Sequence, residues 1–171
     1  MTAAVAPLAR QVAARAQRDK GFAQILDALL AAPGAPQGTL ERIAARELNT
    51  QRRGALVQEF VNGSMRTSDV QTLLGVKSPQ AVHRLRTRKK LLGTAVGNQT
   101  WFPAWQFHDD RVRTDLPRII ELLARFTDDV LIADRVMRTK HDDLGGKSIA
   151  EALRNTRTAE TAWHVLASIG A

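Results

Sequence analysis

Residues 67–107 constrain the fold of this chain more than any other stretch, because two short amphipathic patterns flank a glycine there. Thr67 is a candidate N-cap for the first pattern. Its apolar residues repeat at helical spacing, namely Val70, Leu73 and Leu74. Gly75 then favours a helix end, since glycine adopts the left-handed backbone conformation at little cost. We therefore expect a short helix that ends in a tight turn.

A second amphipathic helix is predicted directly after that turn. Ser78 suits its N-cap and Pro79 its first position, where no backbone donor is lost. One side of this helix is apolar and consists of Ala81, Val82 and Leu85. The opposite side is polar and consists of Gln80, His83, Arg84 and Thr87. This opposition predicts a helix-turn-helix whose second helix presents its polar side to the major groove of DNA.

Two short strand patterns follow at residues 91–96 and 99–102, with Gly97-Asn98 between them. That dipeptide is typical of a tight hairpin turn, so we interpret the pair as a β-hairpin wing. The aromatic residues in and after the wing either stack on bases or pack the wing onto the helices; they are Trp101, Phe102, Trp105 and Phe107. Their strand-like alternation favours packing.

The charge of this region is one-sided. Residues 70–107 contain no Asp or Glu but six Lys and Arg residues, and the 171-residue chain has a net charge of +8. Because each neutralised phosphate favours binding, the pattern indicates double-stranded DNA as the partner. The alternative is a plain helical hairpin with a basic, solvated face. The candidate base-reading residues are Gln80, His83, Arg84 and Thr87; the candidate phosphate contacts are Lys77, Arg86, Arg88, Lys89 and Lys90, with Ser78 at the helix start.

The segment before this region is predicted to be helical. Residues 7–32 are expected to be helical, with the Ala-rich part before Gly21 either a loose arm or a packing helix, and a break follows at PGAPQG, residues 33–38. Thr39 is the candidate cap of a further helix, which Gly54 bends or divides. The part after Gly54 is expected to support the helix-turn-helix.

The segment after the wing is also predicted to be helical, with candidate caps at Thr127, Ser148 and Thr158. Its acidic and basic residues nearly balance. The expected fold is therefore mostly α, a helix-turn-helix with a short β-hairpin wing followed by a small all-helical domain. We expect support or dimerisation helices at 1–62, the winged helix-turn-helix at 63–112 and an interaction domain at 113–171.

Several chemistries are disfavoured by the residues present. The chain has no Cys, which excludes disulfides and thiolate zinc sites. Residues 146–148 match only the end of a phosphate-binding loop, and the two His-Asp-Asp tripeptides at 108–110 and 141–143 lack ligand spacing. No apolar run reaches the length of a membrane span. We expect a cytoplasmic, bacterial, non-enzymatic protein without cofactor or metal.

Short motifs in both halves resemble the MbcA/ParS/Xre family of antitoxins. The C-terminal motifs are LGGKSIAEALR at 144–154 and the closing helix HVLASIGA at 164–171. The middle of the chain is similar to the DNA reader that precedes such a domain, through LLGVKSPQAVHRLRTRKKLLG at 73–93 and FPAWQF at 102–107. The resemblance covers more than half of the chain.

The resemblance implies a cytoplasmic, nucleoid-associated homodimer that binds operator DNA, represses its own operon and neutralises a RES-type toxin, an enzyme that consumes NAD. A dimer is also expected because one helix-turn-helix reads only a short half-site. Two alternatives stay open: a stand-alone DNA-binding regulator or nucleoid-associated protein without a toxin, and a protein-binding adaptor whose basic surface is incidental. The candidate partner contacts are Lys147, Arg154, Arg157 and Trp163, the last because it lies off the apolar stripe of its helix.

Overall fold

The computed structural model describes residues 5–31 and 38–169, which are mostly helical with small antiparallel strand pairs. The expected mostly-α class is confirmed at this level. The chain forms two compact units, Met1–Gly54 and Ala55–Ala171. The second unit includes both the predicted reader segment and the segment after it, so the further division by function stays a prediction.

The first unit begins with two helices, so the predicted helical character of residues 7–32 is confirmed for the residues that the structure describes. Helix α1 is Val5–Arg18 and α2 is Lys20–Ala31. The two helices are separated at Asp19, whose Oδ1 accepts a hydrogen bond from the Phe22 backbone N–H at 3.1 Å. An aspartate in this position begins a new helix rather than continuing the old one.

Helix α3 is Thr39–Asn62 and includes Gly54. The predicted division of this helix at Gly54 is therefore wrong, while a bend there stays a prediction. One exposed glycine costs a helix only about 1 kcal/mol, and α3 regains stability farther on, where Leu56 and Phe60 are buried against Leu131. The predicted capping role of the Thr39 side chain lies outside the described residues.

The second unit contains a three-stranded antiparallel sheet, and two short helices lie between its first two strands in the chain. Its strands lie in the order β1-β3-β2, with Met65 opposite Phe102 and Ala95 opposite Thr100. The elements in chain order are β1 (Ser64–Arg66), α4 (Thr67–Leu73), α5 (Pro79–Thr87), β2 (Thr94–Val96) and β3 (Gln99–Pro103). Strand β1 was not predicted, because three residues carry no readable alternation.

The remaining elements are short helices and two small strand pairs. They are β4 (Phe107–His108), β5 (Arg111–Val112), α6 (Leu116–Phe126), α7 (Val130–Arg138), β6 (Lys140–His141), β7 (Lys147–Ser148), α8 (Ile149–Ala152) and α9 (Thr156–Ser168). Strand β4 pairs with β5, and β6 pairs with β7. None of the described helices has both the length and the apolar character needed to span a bilayer.

Two predicted caps in the C-terminal part are wrong and one is confirmed. Asp129, not Thr127, caps α7, and its Oδ1 accepts from the Leu131 N–H at 2.9 Å. Asn155, not Thr158, caps α9. Ser148 caps α8 as expected, and the Glu151 carboxylate accepts from the Ser148 N–H at 2.8 Å. A nearer Asp or Asn displaces threonine because it is the stronger capping residue.

One continuous apolar core runs through most of the second unit. It joins side chains of α4, α5, β3 and α6–α9, including Val70, Val82, Phe102, Ile119, Ile149 and Leu166. The aromatic rings of Phe102, Trp105 and Phe107 are buried in it. The packing interpretation of these aromatics is therefore confirmed, and α4 and α5 are fixed to the same core as the C-terminal helices.

Candidate nucleic-acid interface

The turn between α4 and α5 is closed by backbone hydrogen bonds around Gly75. Its φ is +62°, its N–H donates to the Thr72 carbonyl, and the Val76 N–H donates to the Gln71 carbonyl, both at 3.2 Å. This pair of bonds is a Schellman motif, which ends a helix in a defined geometry. The predicted role of Gly75 is confirmed.

The start of α4 differs from the prediction by one residue. Arg66 occupies the N-cap, and its N–H donates to the Asp69 carboxylate at 3.0 Å. Thr67 is the first helical residue instead, with its hydroxyl 3.4 Å from the Thr100 carbonyl oxygen on β3. The Asp69 carboxylate therefore satisfies the backbone N–H of the N-cap residue.

Helix α5 has a buried and an exposed side. Val82 is fully buried, while Ala81 and Leu85 are half-buried. Ser78 stands at the N-cap as expected, although its hydroxyl makes no capping hydrogen bond. The residues predicted to read bases are all exposed on the other side, namely Gln80, His83, Arg84 and Thr87. The structure thus places this polar set where a long ligand can reach it.

Most of the predicted phosphate contacts are exposed cations. They are Lys77, Arg88, Lys89 and Lys90, and together with Arg84 they form no ion pair within the described part of the chain. Exposed basic residues on a protein usually have acids among their neighbours. A surface with unpaired cations carries a positive potential that attracts a polyanion.

Arg86 differs from the other predicted phosphate contacts because it is half-buried. Its Nη2 lies 3.3 Å from His83 Nδ1, and its Nε is buried without a hydrogen-bond partner among the described residues. One end of the Arg86 guanidinium therefore contacts His83 on the exposed side of α5, while its Nε is buried.

The end of α5 has a lysine where glycine is usual. Lys89 has a φ of +54°, its N–H donates to the Arg86 carbonyl at 2.9 Å, and the Lys90 N–H donates to the Leu85 carbonyl at 2.8 Å. These bonds form a second Schellman motif, in which a side chain at the left-handed position costs roughly 1 kcal/mol. The chain therefore keeps a cation here at the expense of stability.

Gln106 holds the segment that follows α5 in place. This role of Gln106 was not predicted from the sequence. Its side chain is fully buried; Nε2 donates to the Leu92 carbonyl at 2.8 Å, and Oε1 accepts from the Leu92 N–H at 2.9 Å. Because Gln106 takes both backbone groups of Leu92, residues 91–93 do not join the sheet. The first strand of the hairpin is therefore shorter than the predicted 91–96 and begins at Thr94.

The β2–β3 hairpin turns at Gly97-Asn98 as predicted, and Gly97 has a φ of +61°. Its base is held close to the core at Gly93, where an added Cβ would lie 2.8 Å from the Phe102 ring. Arg66 on β1 stacks over the Trp101 ring, with its guanidinium carbon 5.2 Å from the ring centroid. These contacts keep the hairpin in a fixed position beside α4.

A buried acid lies behind this region. Asp134 is 2 % exposed; its Oδ1 accepts from Trp105 Nε1 at 2.9 Å, and its Oδ2 lies 3.4 Å from Arg138 Nη1. Burial raises the pKa of Asp134 from 3.8 to about 6, although the Trp105 and Arg138 hydrogen bonds act in the opposite direction. The sequence signal for it was an acid on the inward side of α7, between Val130 and Met137.

We expect Asp134→Asn to change how stability depends on pH. A carboxyl whose pKa is raised on folding stabilises the protein below pH 3.8, and this stabilisation is lost as pH rises towards 6. The variant keeps an oxygen for Trp105 but has no such titration. Between pH 4 and pH 7, the free energy of unfolding of the variant should therefore rise relative to that of the parent by roughly 2 kcal/mol. Urea unfolding followed by tryptophan fluorescence measures both profiles, and parallel profiles would contradict the assignment.

The predicted partner contacts of the C-terminal part fall into two groups. Lys147, Arg154 and Arg157 are exposed, and Arg154 Nη2 lies 3.4 Å from the Phe107 carbonyl oxygen. Trp163 is half-buried against the core, and Arg118 covers its ring at 4.2 Å from the centroid. Trp163 is therefore less exposed than its position off the apolar stripe of its helix suggested, while a role in partner binding stays a prediction for all four residues.

The His-Asp-Asp tripeptides form no metal site in the described residues, where no group of three or more His, Asp or Glu side chains could hold an ion. His108 Nε2 lies 3.5 Å from Asp109 Oδ2 at an exposed hairpin tip. His141 starts a 3-10 turn at Asp142–Leu144, which leads into the Gly145-Gly146 turn.

Comparison with known proteins adds no relative: no protein-family model, curated protein or solved structure matches this chain. The function of this protein is therefore inferred from its residues and their geometry.

Proposed function

We propose that this protein binds double-stranded DNA through α5 and acts as a DNA-binding transcriptional regulator. The observation that carries the proposal is the set of exposed cations around α5 that have no acidic partner among the described residues. They flank a polar helix side whose opposite side is anchored in the core by Val82. A rigid, positively charged helix of this kind suits the major groove.

The order of the elements supports a winged helix-turn-helix. Helices α4 and α5 are joined by a tight turn, and the β2–β3 hairpin follows directly and pairs with β1. In such an arrangement the second helix enters the groove while the first crosses the DNA backbone. The hairpin would then contact the backbone or the adjacent minor groove.

The two classes of side chain have separate roles in this proposal. Arg84 and Gln80 can form paired hydrogen bonds with guanine and adenine, respectively, and His83 and Thr87 extend the same side. Lys77, Arg88, Lys89 and Lys90 neutralise phosphates, which sets affinity rather than sequence preference. Arg86 is half-buried and its Nε is buried, so it contributes to phosphate binding only through the Nη atoms of its guanidinium.

Lys89→Gly is expected to separate stability from binding. Glycine removes the cost of the left-handed conformation, so the free energy of unfolding should rise by about 0.5–1 kcal/mol. The same change removes one cation and should weaken binding to every duplex alike. Chemical unfolding and fluorescence anisotropy with a labelled duplex measure the two effects.

The matched control is Lys147→Gly, at an exposed lysine of β7 distant in sequence from α5. It removes the same charge but should leave DNA affinity nearly unchanged. A Lys89→Gly variant that is more stable and binds DNA as tightly as the parent would show that Lys89 makes no phosphate contact.

A homodimer and a toxin partner are further parts of the proposal. Two copies of α5 would read a palindrome, because a single helix of this length covers only a half-site. The toxin-neutralising role stays a prediction drawn from the resemblance, with Lys147, Arg154, Arg157 and Trp163 as its candidate contacts.

A further inference from the structure

A cavity of about 340 Å³ lies between the end of α5 and the corner where α6 meets α7. Its floor is apolar and comprises Leu91, Ile120, Leu123 and Ala133. Arg86 and Lys89 line it from the α5 end, and Thr127 and Asp128 line it from the α6–α7 corner. Cavities that bind small molecules start at about 300 Å³ and combine an apolar lining with a few polar groups.

We propose that this cavity binds a small organic anion with an apolar body, such as a medium-chain carboxylate. The apolar body would cover Leu91 and Leu123, and the anionic group would accept hydrogen bonds from Arg86. This site does not include the proposed DNA contacts Gln80 and Arg84, although it shares Arg86, Thr87 and Lys89 with that surface.

The polarity of the ligand follows from the hydrogen-bond state of the lining residues. Arg86 Nε is buried and has no partner in the described part of the chain, so it requires an acceptor. The two acids on the α6–α7 side of the cavity, Asp128 and Asp129, do not need a hydrogen-bond donor from a ligand. Asp129 Oδ1 already accepts from the Leu131 N–H, and Asp128 is exposed to solvent. The unmet requirement is thus for an acceptor, which a carboxylate supplies in charged form.

Occupation of the cavity would also affect DNA binding, and this part rests on the proposed function. Arg86 Nη2 contacts His83 on the exposed side of α5. An anion bound to Arg86 would neutralise it and add negative charge beside Lys89. Both changes lower the attraction of α5 for phosphates, so the ligand would weaken DNA binding.

The test is a titration of the full chain with sodium octanoate, followed by isothermal calorimetry and backbone amide chemical shifts. We expect saturable binding, with shifts concentrated at residues 86–93 and 120–130. Octan-1-ol and octylammonium should bind more weakly, because neither offers an anionic acceptor. Arg86→Gln should weaken octanoate binding about tenfold or more, whereas Arg88→Gln should not change it.

Filling the cavity provides an independent variant. Ala124 lines the cavity but is exposed, so Ala124→Phe should fold normally and block octanoate. Absence of saturable octanoate binding by the parent would overturn the proposal. So would octanoate binding by Arg86→Gln with parental affinity, or tighter binding of octylammonium than of octanoate.

Anisotropy titrations with a labelled duplex test the coupling separately. Octanoate should lower the DNA affinity of the parent but not of Arg86→Gln. Octanoate binding without an effect on DNA affinity would overturn the coupling and leave the cavity assignment in place. A parent that binds octanoate but no duplex would overturn the proposed function alone.

Discussion

Gln106→Leu is expected to lower the free energy of unfolding by about 2–5 kcal/mol. Leucine has a similar volume, so the loss does not come from a cavity. It comes from the Leu92 N–H and C=O groups, which hydrogen-bond to Gln106 at 2.9 and 2.8 Å. With leucine at 106, both groups would stay in a half-buried segment without their partner. Urea unfolding followed by circular dichroism measures the loss.

Gln99→Leu is the matched control, because Gln99 is an exposed glutamine at the start of β3. This substitution should change stability by no more than about 0.5 kcal/mol. If Gln106→Leu cost no more than Gln99→Leu, Gln106 would not hold residues 91–93 in place. The position of the β2–β3 hairpin would then need another explanation.

Arg84→Ala is expected to weaken binding to a preferred duplex by about 1–3 kcal/mol and to reduce discrimination against random duplexes. Lys90→Ala should instead weaken binding to both duplexes to the same extent, since a phosphate contact carries no sequence information. Selection from a random duplex pool supplies the preferred sequence. Anisotropy titrations of both duplexes then give the affinities of the parent and of each variant.

Arg135→Ala on α7 is the control for charge, because Arg135 is exposed and lies outside the proposed DNA surface. It should reduce affinity only slightly, through the net charge. Equal effects of Arg84→Ala and Lys90→Ala on discrimination would show that α5 does not read bases. If Arg84→Ala, Lys90→Ala and Arg135→Ala all lowered DNA affinity by the same factor, the protein would bind DNA by non-specific attraction alone.

The sequence predicted those features that depend on neighbouring residues. Val70, Leu73 and Leu74 define α4 by spacing alone, and Gly75 and Gly97-Asn98 form the predicted turns. The exposed side of α5 was also predicted, since it follows from helical geometry once the buried side is known.

The features that were missed depend on partners far along the chain. Gln106 bonds to a residue 14 positions away, and Trp105 bonds to Asp134 at a separation of 29. No local spacing signals such pairs. Helix ends were misplaced where two capping residues compete, as at Thr127 and Asp129. The half-buried state of Arg86 could not be predicted either, because the residues that line the same cavity come from distant parts of the chain.

The salt dependence of duplex binding tests the proposed function most directly. Each neutralised phosphate contributes about −0.9 to the slope of log affinity against log salt concentration. Five contacts, from Lys77, Arg86, Arg88, Lys89 and Lys90, would give a slope of roughly −4.5 for one protomer. We expect binding at low salt with a slope of this size, which becomes shallower by about 1 in Lys90→Ala. A parent that binds no duplex at low salt, or binds with a flat salt dependence, would contradict the account.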